Sequence, residues 1–460
     1  MSAKVGPQLA ADLYPLRSWR DIPPANSALP LEELPKPPPM PETKNRLPGR
    51  RQDAAATAGE TPALRKTALQ TATAGGPPAL QQAALQVLCG VLCAGHEDLR
   101  AGSNDWVISG AHTVSGRPML SNDMHLPHQL PNIWYEAQLT AGDFDVEGVT
   151  LPGVPFVIVG HNRRIAWGFT NVNPQVTDLY VENINAQDQY QTPDGWKPVE
   201  HRRETIHVKG QPDVVVDVRS TRHGPIISAE LPGETRQIAL KATMEDPGAL
   251  QSPFYFVNAA QNWDEFRAAF AQFGMPGQNV VYADVDGHIG YQTTGYVPLR
   301  KSPATGLPVA GSTDDHEWTG YIPWDEMPRV FDPPSGVLAT ANGRITPDDY
   351  KYFVSAEWEA PYRTERIYRV LRSEKKFAAA DMLELQTDVY SDFDRLCAER
   401  LVYGVDHAKN ASPRAKQAAE IMRHWDGRLT VDSAAAVIET RARTALYKAL
   451  LEPKLGALTT

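Results

Sequence analysis

The sequence predicts an α+β fold, on three observations. From Ser103 onward, short runs rich in β-branched and aromatic residues are punctuated by Gly, Pro, Asn and Asp, the mark of successive strands and turns. Helical periodicity gathers in NWDEFRAAFAQFG (262–274) and in the stretch after Arg363. Strands and helices do not alternate as a doubly wound βαβ chain would require.

Each element follows from local chemistry. Residues 23–48 hold prolines too densely for a helix or central strand, since each fixes φ and removes a backbone donor; an extended connector is expected. Residues 52–100 are rich in Ala, Thr and Gln, and their apolar portion, PALQQAALQVLCGVLCA, suits one surface helix or a spacer. Strands are expected at 106–109, 119–121, 134–139 and 156–160, with the pattern continuing through DFDVEGVTLPGVPFVIVGHNRRIAWGFTN. Further strands are expected at 214–218, 237–241, 280–284 and 289–292. The helix over 262–274 is expected to be capped by Asn262 and closed by Gly274. Others are expected at 363–371, 379–385, 413–425 and 434–451. KALLEPKLGALTT follows the last of these, and nothing after it covers the helix's apolar face, so both chain ends are expected to be incomplete.

Composition excludes several classes. With 45 basic and 55 acidic residues the net charge is −10, against a broad nucleic-acid surface. No apolar run approaches the roughly 20 residues of a membrane span. Three cysteines cannot complete a disulfide framework, and Cys89 with Cys93 lacks the second pair of a zinc ribbon. The opening MSAKVGPQLAADLYP has no apolar signal-peptide core. No organic cofactor is expected.

Two groups of residues could carry chemistry. His112, His125 and His128 include an H-x-x-H pair, but Pro127 interrupts helical presentation, which weakens a zinc-hydrolase reading. Ser103, in GSNDW, sits where the spacer meets the strand-rich body. A serine hydroxyl needs a base, and a serine made N-terminal by a cut after Gly102 would carry its own, an α-amine of pKa about 7.7–8.0.

In five blocks the sequence resembles the penicillin acylase family of N-terminal-nucleophile hydrolases. GSNDWVISGAHTVSGRPMLSNDMHL is similar to the start of that family's β-subunit, and LPGVPFVIVGHNRRIAWGFTN to its most recognisable internal block. VVYADVDGHIGYQTTGYVPLR, VLATANGRI and YRTERIYRVL follow in order. The resemblance implies a four-layer αββα sandwich, here incomplete, with residues 1–45 as the tail of an α-subunit, 46–102 as an excised spacer and 103–460 as the β-subunit. It implies Ser103 as nucleophile, Gly102 as the residue before the self-cleavage point, and His125 as support for the α-amine and substrate. Asn171 (or its neighbour Val172) would give a backbone N–H to the oxyanion hole, Asn342 its side-chain amide, and Arg363 would hold that amide. Asp178 would bind structural calcium with Gln175, where a second acid is usual, so that affinity should be weak.

The implied activity is cleavage of a linear amide, such as a β-lactam side chain, by an α/β heterodimer in the periplasm or outside the cell. The partner is then a small-molecule amide, with no nucleic acid or membrane involved. The alternatives are an acyl-homoserine-lactone acylase of the same family and a non-catalytic fragment.

Overall fold

A computed structural model describes residues 21–24, 102–127, 129–231, 233–304 and 306–455. The expectations for most of the connector, for the spacer, for Cys89 and Cys93 and for His128 lie outside the described residues.

The chain enters β1 (Gly102–Ile108) and returns antiparallel along β2 (Met119–His125), with Ser103 opposite Met124. A meander follows through β3 (Tyr135–Ala141), β4 (Phe144–Thr150), β5 (Val159–Asn162) and β6 (Ile165–Asn171). Beyond β7 (Thr177–Glu182) come two outlying ribbons. One is β8 (Gln189–Thr192) with β9 (Gly195–Pro198). The other is β10 (Glu200–Ile206), β11 (Val214–Thr221) and β12 (Gly224–Pro225). β13 (Gln237–Ala242) then leads to helices α1 (Phe254–Ala259) and α2 (Trp263–Phe270). The second half of the sheet system is β14 (Gln278–Asp284), β15 (Ile289–Thr293), β16 (Pro298–Arg300), β17 (Val309–Ala310), β18 (Trp318–Tyr321), β19 (Arg329–Phe331) and β20 (Val337–Thr340). Last come α3 (Tyr362–Leu371), α4 (Ala379–Gln386), α5 (Asp392–His407), α6 (Pro413–Arg423) and α7 (Ala434–Leu455).

Two sheets make the core, β2–β1–β20 and β19–β15–β14–β6–β5–β4–β3. Side chains alternate along a strand, and this sorts β1 into two faces. Trp106 and Ile108, with Val337 and Ala339 of β20, pack on Ile367, Tyr368 and Leu371 of α3. Val107 and Leu338 face the other way, into a layer shared with Val281, Ala283, Ile289 and Tyr291 of the large sheet. The far side of that sheet, Trp167, Phe169, Val280 and Tyr282, packs on Phe254, Val257, Phe266 and Phe270 of α1 and α2. Each large side chain buried this way contributes roughly 1.5–3 kcal/mol. Helices, sheet, sheet, helices is the four-layer α+β order. Helices α5 to α7 form a smaller core of their own around Ala398, Val402, Ala419 and Met422. Among the described residues no helix is long and apolar enough to cross a membrane.

Some boundaries differ from expectation. Asn262 caps α2 by accepting from the Glu265 N–H at 3.0 Å. The helix nevertheless stops at Phe270, with Ala271 as its C-cap. Gly274 answers a different need: a Cβ there would lie 2.4 Å from the Ala249 Cα. The strand expected over 156–160 begins only at Val159, since Phe156 takes a left-handed φ of 73°. A short piece near the start of the chain is docked: Ile22 is 3% exposed in the core beside Trp106 and Ile108, and Asp21 lies 3.9 Å from Arg344.

Candidate active site

The face of β1 that carries Val107 also carries Asp105 and Ser103, so both project between the sheets. Asp105 lies opposite Thr340 of β20 and is fully buried. Its Oδ1 accepts from the Thr340 hydroxyl at 2.6 Å, while Oδ2 has no hydrogen-bond partner. Thr340 meets Thr170 of β6 at 2.5 Å, Asn279 Nδ2 donates to Thr170 at 3.0 Å, and the Tyr291 hydroxyl donates to Asn279 Oδ1 at 2.7 Å. This chain of polar groups joins the two sheets. Burial raises the Asp105 pKa well above its ordinary value, against the lowering effect of the Thr340 hydrogen bonds, which favours the neutral acid.

Two residues along, Ser103 and Asn342 are 7% and 2% exposed. The Ser103 backbone N–H donates to Asn342 Oδ1 at 2.8 Å. Asn342 Nδ2 donates to Ser103 Oγ at 3.3 Å and to the Asn171 carbonyl at 3.0 Å. Arg363, in the first turn of α3, donates Nη2 to Asn342 Oδ1 at 3.1 Å. Its Nη1 donates to the Ser103 carbonyl at 2.8 Å and to Asn104 Oδ1 at 2.7 Å. A guanidinium has only donors, so it fixes the Asn342 amide with the oxygen toward Arg363 and the NH2 toward the serine hydroxyl. Burial lowers the Arg363 pKa while Glu359 and Asp123 oppose the shift; the side chain remains a cation. Asn342 itself has a left-handed φ of 62°, a conformation asparagine tolerates better than most side chains.

Asn171 ends β6 beside this group, and its own Oδ1 accepts from the Asn173 N–H at 2.9 Å. The neighbouring Val172 N–H turns to the Gly277 carbonyl, 3.4 Å away, so it is engaged elsewhere. The approach of β6 to β1 is set by Asn122. Its Nδ2 donates to the carbonyls of Asn104 and Phe169, and its Oδ1 accepts from the Phe169 N–H, all at 2.9 Å. Gly168 is required there, a Cβ falling 3.0 Å from that of Asn122.

His125 is placed differently from the other four. It pairs with Gly102 in the sheet register, and its Nε2 lies 2.9 Å from Asp123 Oδ2 and 3.3 Å from Asn104 Nδ2. No hydrogen bond joins its ring to Ser103 among the described residues. Alternation puts His125, Asp123 and Asn104 on the helix-facing side of the sheet, with Arg363, and the Ser103 side chain on the other. Asp123 and Asn104 both meet Nε2, and among the described residues the Nδ1 edge of the imidazole has no hydrogen-bond partner. Asn104, Asp123 and Asn122 are the residues that the sequence reading passed over. The signal was available: in SNDMH the second and fourth residues after Ser121 are Asp123 and His125, on one strand face.

Gly102 lies in extended β1, with no left-handed φ. Its glycine fits a crowded spot: a Cβ would sit 3.2 Å from Arg363 Nη2 and 3.5 Å from Asn342 Oδ1.

The calcium expectation for Asp178 and Gln175 does not fit the residues present. Asp178 Oδ2 accepts from Arg300 Nε and Trp318 Nε1, both at 2.6 Å, and Oδ1 accepts from Gln175 Nε2 at 3.2 Å. Nitrogen donors and a guanidinium cation cover both oxygens, and the Gln175 amide presents its NH2 rather than its oxygen to the carboxylate. His112 bonds through Nε2 to the Ser335 carbonyl at 2.8 Å, away from His125. Among the described residues no group of three His, Cys, Asp or Glu is arranged to hold a metal ion. A cavity of about 470 Å³ lies against α1 and α2, lined in part by Pro253, Phe256, Glu265 and Ala269, and includes none of the residues around Ser103.

The family model described as penicillin amidase matches residues 1–460. Among curated proteins, the chain is 34% identical over 363 residues to Penicillin acylase 2 proenzyme of Pseudomonas sp. (strain SE83), covering 75% of this chain and 45% of that protein. It is 31% identical over 363 residues to Acyl-homoserine lactone acylase QuiP of Pseudomonas aeruginosa, covering 74% of this chain and 43% of that one. The solved structure of a thermostable penicillin G acylase from Alcaligenes faecalis aligns with TM-score 0.62 and 28% identity, over 71% of this chain and 59% of that chain. The chain thus spans less than half the length of these curated relatives.

Proposed function

The chain belongs to the penicillin amidase family, and from that premise we propose that it is a linear-amide hydrolase whose nucleophile, Ser103, becomes a chain terminus by self-cleavage after Gly102. The observation that carries this reading is one side chain: the Asn342 amide reaches both the nitrogen and the hydroxyl of Ser103 across 239 residues of sequence.

Before the cut the Ser103 nitrogen is a peptide amide and has no basicity. After it, the α-amine can take the Ser103 hydroxyl proton while Asn342 Oδ1 still holds one N–H. The Arg363 guanidinium, bonded to the same Oδ1 and to the Ser103 carbonyl, favours the uncharged amine. Ser103 Oγ then attacks the substrate carbonyl. Asn342 Nδ2 and the Asn171 N–H stabilise the oxyanion, each such donor being worth about 2.7–4 kcal/mol. The α-ammonium returns its proton to the departing amine, and water repeats the sequence on the acyl-enzyme. His125 offers its Nδ1 edge to polar groups of the substrate, with Asp123 and Asn104 orienting the ring.

This reading assigns residues 1–45 to the tail of an α-subunit, 46–102 to an excised spacer and 103–460 to a β-subunit, in an exported α/β heterodimer. Burial of Ile22 and the Asp21–Arg344 pair support continued attachment of the first segment. A relative 34% identical and named a penicillin acylase supports a linear amide such as a β-lactam side chain as the substrate. A relative 31% identical and named an acyl-homoserine lactone acylase supports the second substrate class.

The test is intact-mass analysis and N-terminal sequencing of the expressed chain and of its Ser103→Ala variant. It is followed by hydrolysis assays on an aryl-acyl amide and on N-acyl homoserine lactones. A wild-type chain with a new Ser103 terminus and an uncut variant are expected. A variant cut normally would assign processing to an outside protease, and an uncut, inactive wild type would favour the non-catalytic reading.

A further inference from the structure

The corner of the molecule around Asp178 is organised on a cation that the chain supplies itself. β7 turns Asp178, Tyr180 and Glu182 to one face, every second residue, and Lys241 of β13 lies opposite Asp178 in register. The β16–β18 ribbon closes over this face, with Arg300 paired to Trp318. Arg300 Nε donates to Asp178 Oδ2 at 2.6 Å, Nη2 to the Gln175 carbonyl at 2.8 Å and Nη1 to the Pro298 carbonyl at 3.3 Å. Its guanidinium also lies 5.5 Å from the Trp318 ring centre. The Arg300 side chain is 6% exposed and that of Asp178 14%.

The neighbouring charges are matched elsewhere. Glu317 accepts from Lys241 at 3.2 Å and contacts His223 Nε2 at 2.6 Å, while Glu182 contacts His223 Nδ1 at 2.7 Å. Arg222 bonds to Asp314 at 2.7 Å and lies 3.3 Å from Glu317. These pairings leave the Asp178 carboxylate to Arg300.

A carboxylate and two backbone carbonyls, each accepting from a different nitrogen of one guanidinium, are oxygen donors of the kind a hard divalent cation takes. A guanidinium is permanently charged and presents five donors in a fixed fork, which suits the same oxygens. The two occupants exclude each other, by charge and by space. We infer that Arg300 is a built-in structural cation, filling an oxygen cage of the calcium type and fastening the β16–β18 ribbon to the β13–β7–β17 sheet without a metal. The inference is independent of the catalytic reading.

The experiment uses the full chain, freed of metal with EDTA, and follows thermal unfolding and titration calorimetry against calcium chloride. Wild type is expected to show no binding heat and no change in midpoint up to about 5 mM calcium, since the competing cation is covalently attached. Arg300→Ala leaves a buried carboxylate uncompensated and should lower the midpoint by about 5–10 °C in EDTA. Calcium should then bind the variant and restore at least half of that loss, with magnesium less effective because it dehydrates reluctantly. Arg300→Lys keeps the charge but not the fork, and should lie between the two with no calcium response. Stoichiometric calcium binding to wild type would overturn the inference, as would an Arg300→Ala midpoint equal to wild type, or one lowered and unmoved by calcium. If Arg300→Ala folds only when calcium is present, the inference stands. If it folds in neither condition, wild type and Arg300→Lys decide: a midpoint lower for lysine, with both insensitive to calcium, supports it.

Discussion

Replacing Asp105 by asparagine should strengthen the protein progressively as pH rises above the unfolded carboxylate range, with little change in acid. The carboxyl is fully buried and Oδ2 has no partner, so its folded pKa lies well above the unfolded value. The unfolded chain ionises this group above about pH 3.9 while the folded chain keeps its proton. Stability therefore falls by about 1.4 kcal/mol per pH unit from there until the folded pKa is reached. Asparagine keeps the acceptor for Thr340 and cannot ionise, so it removes that slope. Its NH2 replaces Oδ2, which in the neutral acid already carries an unpartnered O–H, so the cost of an unsatisfied buried donor, about 1–3 kcal/mol, is common to both side chains. The assay is urea unfolding at pH 4, 6 and 8 in the Ser103→Ala background, which keeps the chain in one piece. A variant whose stability relative to its parent is the same at pH 4 and pH 8, or lower at pH 8, would mean that Asp105 is ionised in the fold, and the reasoning would fail.

Three further outcomes are expected. Asn342→Gly retains the φ of 62° and removes only the amide, so amide hydrolysis should fall about 10²–10³-fold with little change in thermal midpoint. Gly102→Val should slow appearance of the cut fragments on a gel more than Gly102→Ala, because the added atoms press on Arg363 Nη2 from 3.2 Å; equal rates for all three chains would remove crowding as the reason for glycine. Ile22→Ala should lower unfolding free energy by about 2–5 kcal/mol, measured by denaturant titration, since the side chain is 3% exposed in the main core; a loss below 0.5 kcal/mol would mean the segment is not docked.

Legibility in the sequence followed the kind of signal each element carries. The strands at Trp106 and Val280 have unbroken apolar runs, and the helix at Asn262 has a capping side chain, so both could be read locally. The helix Asp392–His407 was missed because its apolar face is sparse, with Ala398 and Val402 among its few fully buried residues. The strand Glu200–Ile206 is exposed throughout and shows no core-facing alternation, and Gln189–Thr192 turns only Tyr190 and Thr192 inward, too short a run to read locally. At the site, Ser103, Asn342 and Arg363 were found through resemblance; no local pattern joins residues so far apart. The position of Asp123 beside His125 was open to a strand-parity argument. Arg300 was not, because what makes it a competitor for Asp178 is a β16–β18 ribbon folded back over β7.

The bond between Gly102 and Ser103 lies within a hydrogen-bonded strand rather than in a loop, and this bears on what a cut there would leave behind. Chain ends ordinarily fray, and a mobile amine would visit its own hydroxyl's surroundings in many orientations. Here residues Ser103 to Ile108 would keep their register with β2, and Asp105 to Ile108 theirs with β20. A terminus made in that position is held by β2 at Ser103 itself and by β20 from Asp105 onward before it first acts. Its freedom of rotation has already been removed by folding, so the effective local concentration of base at the hydroxyl is set by the sheet rather than by diffusion of a loose end.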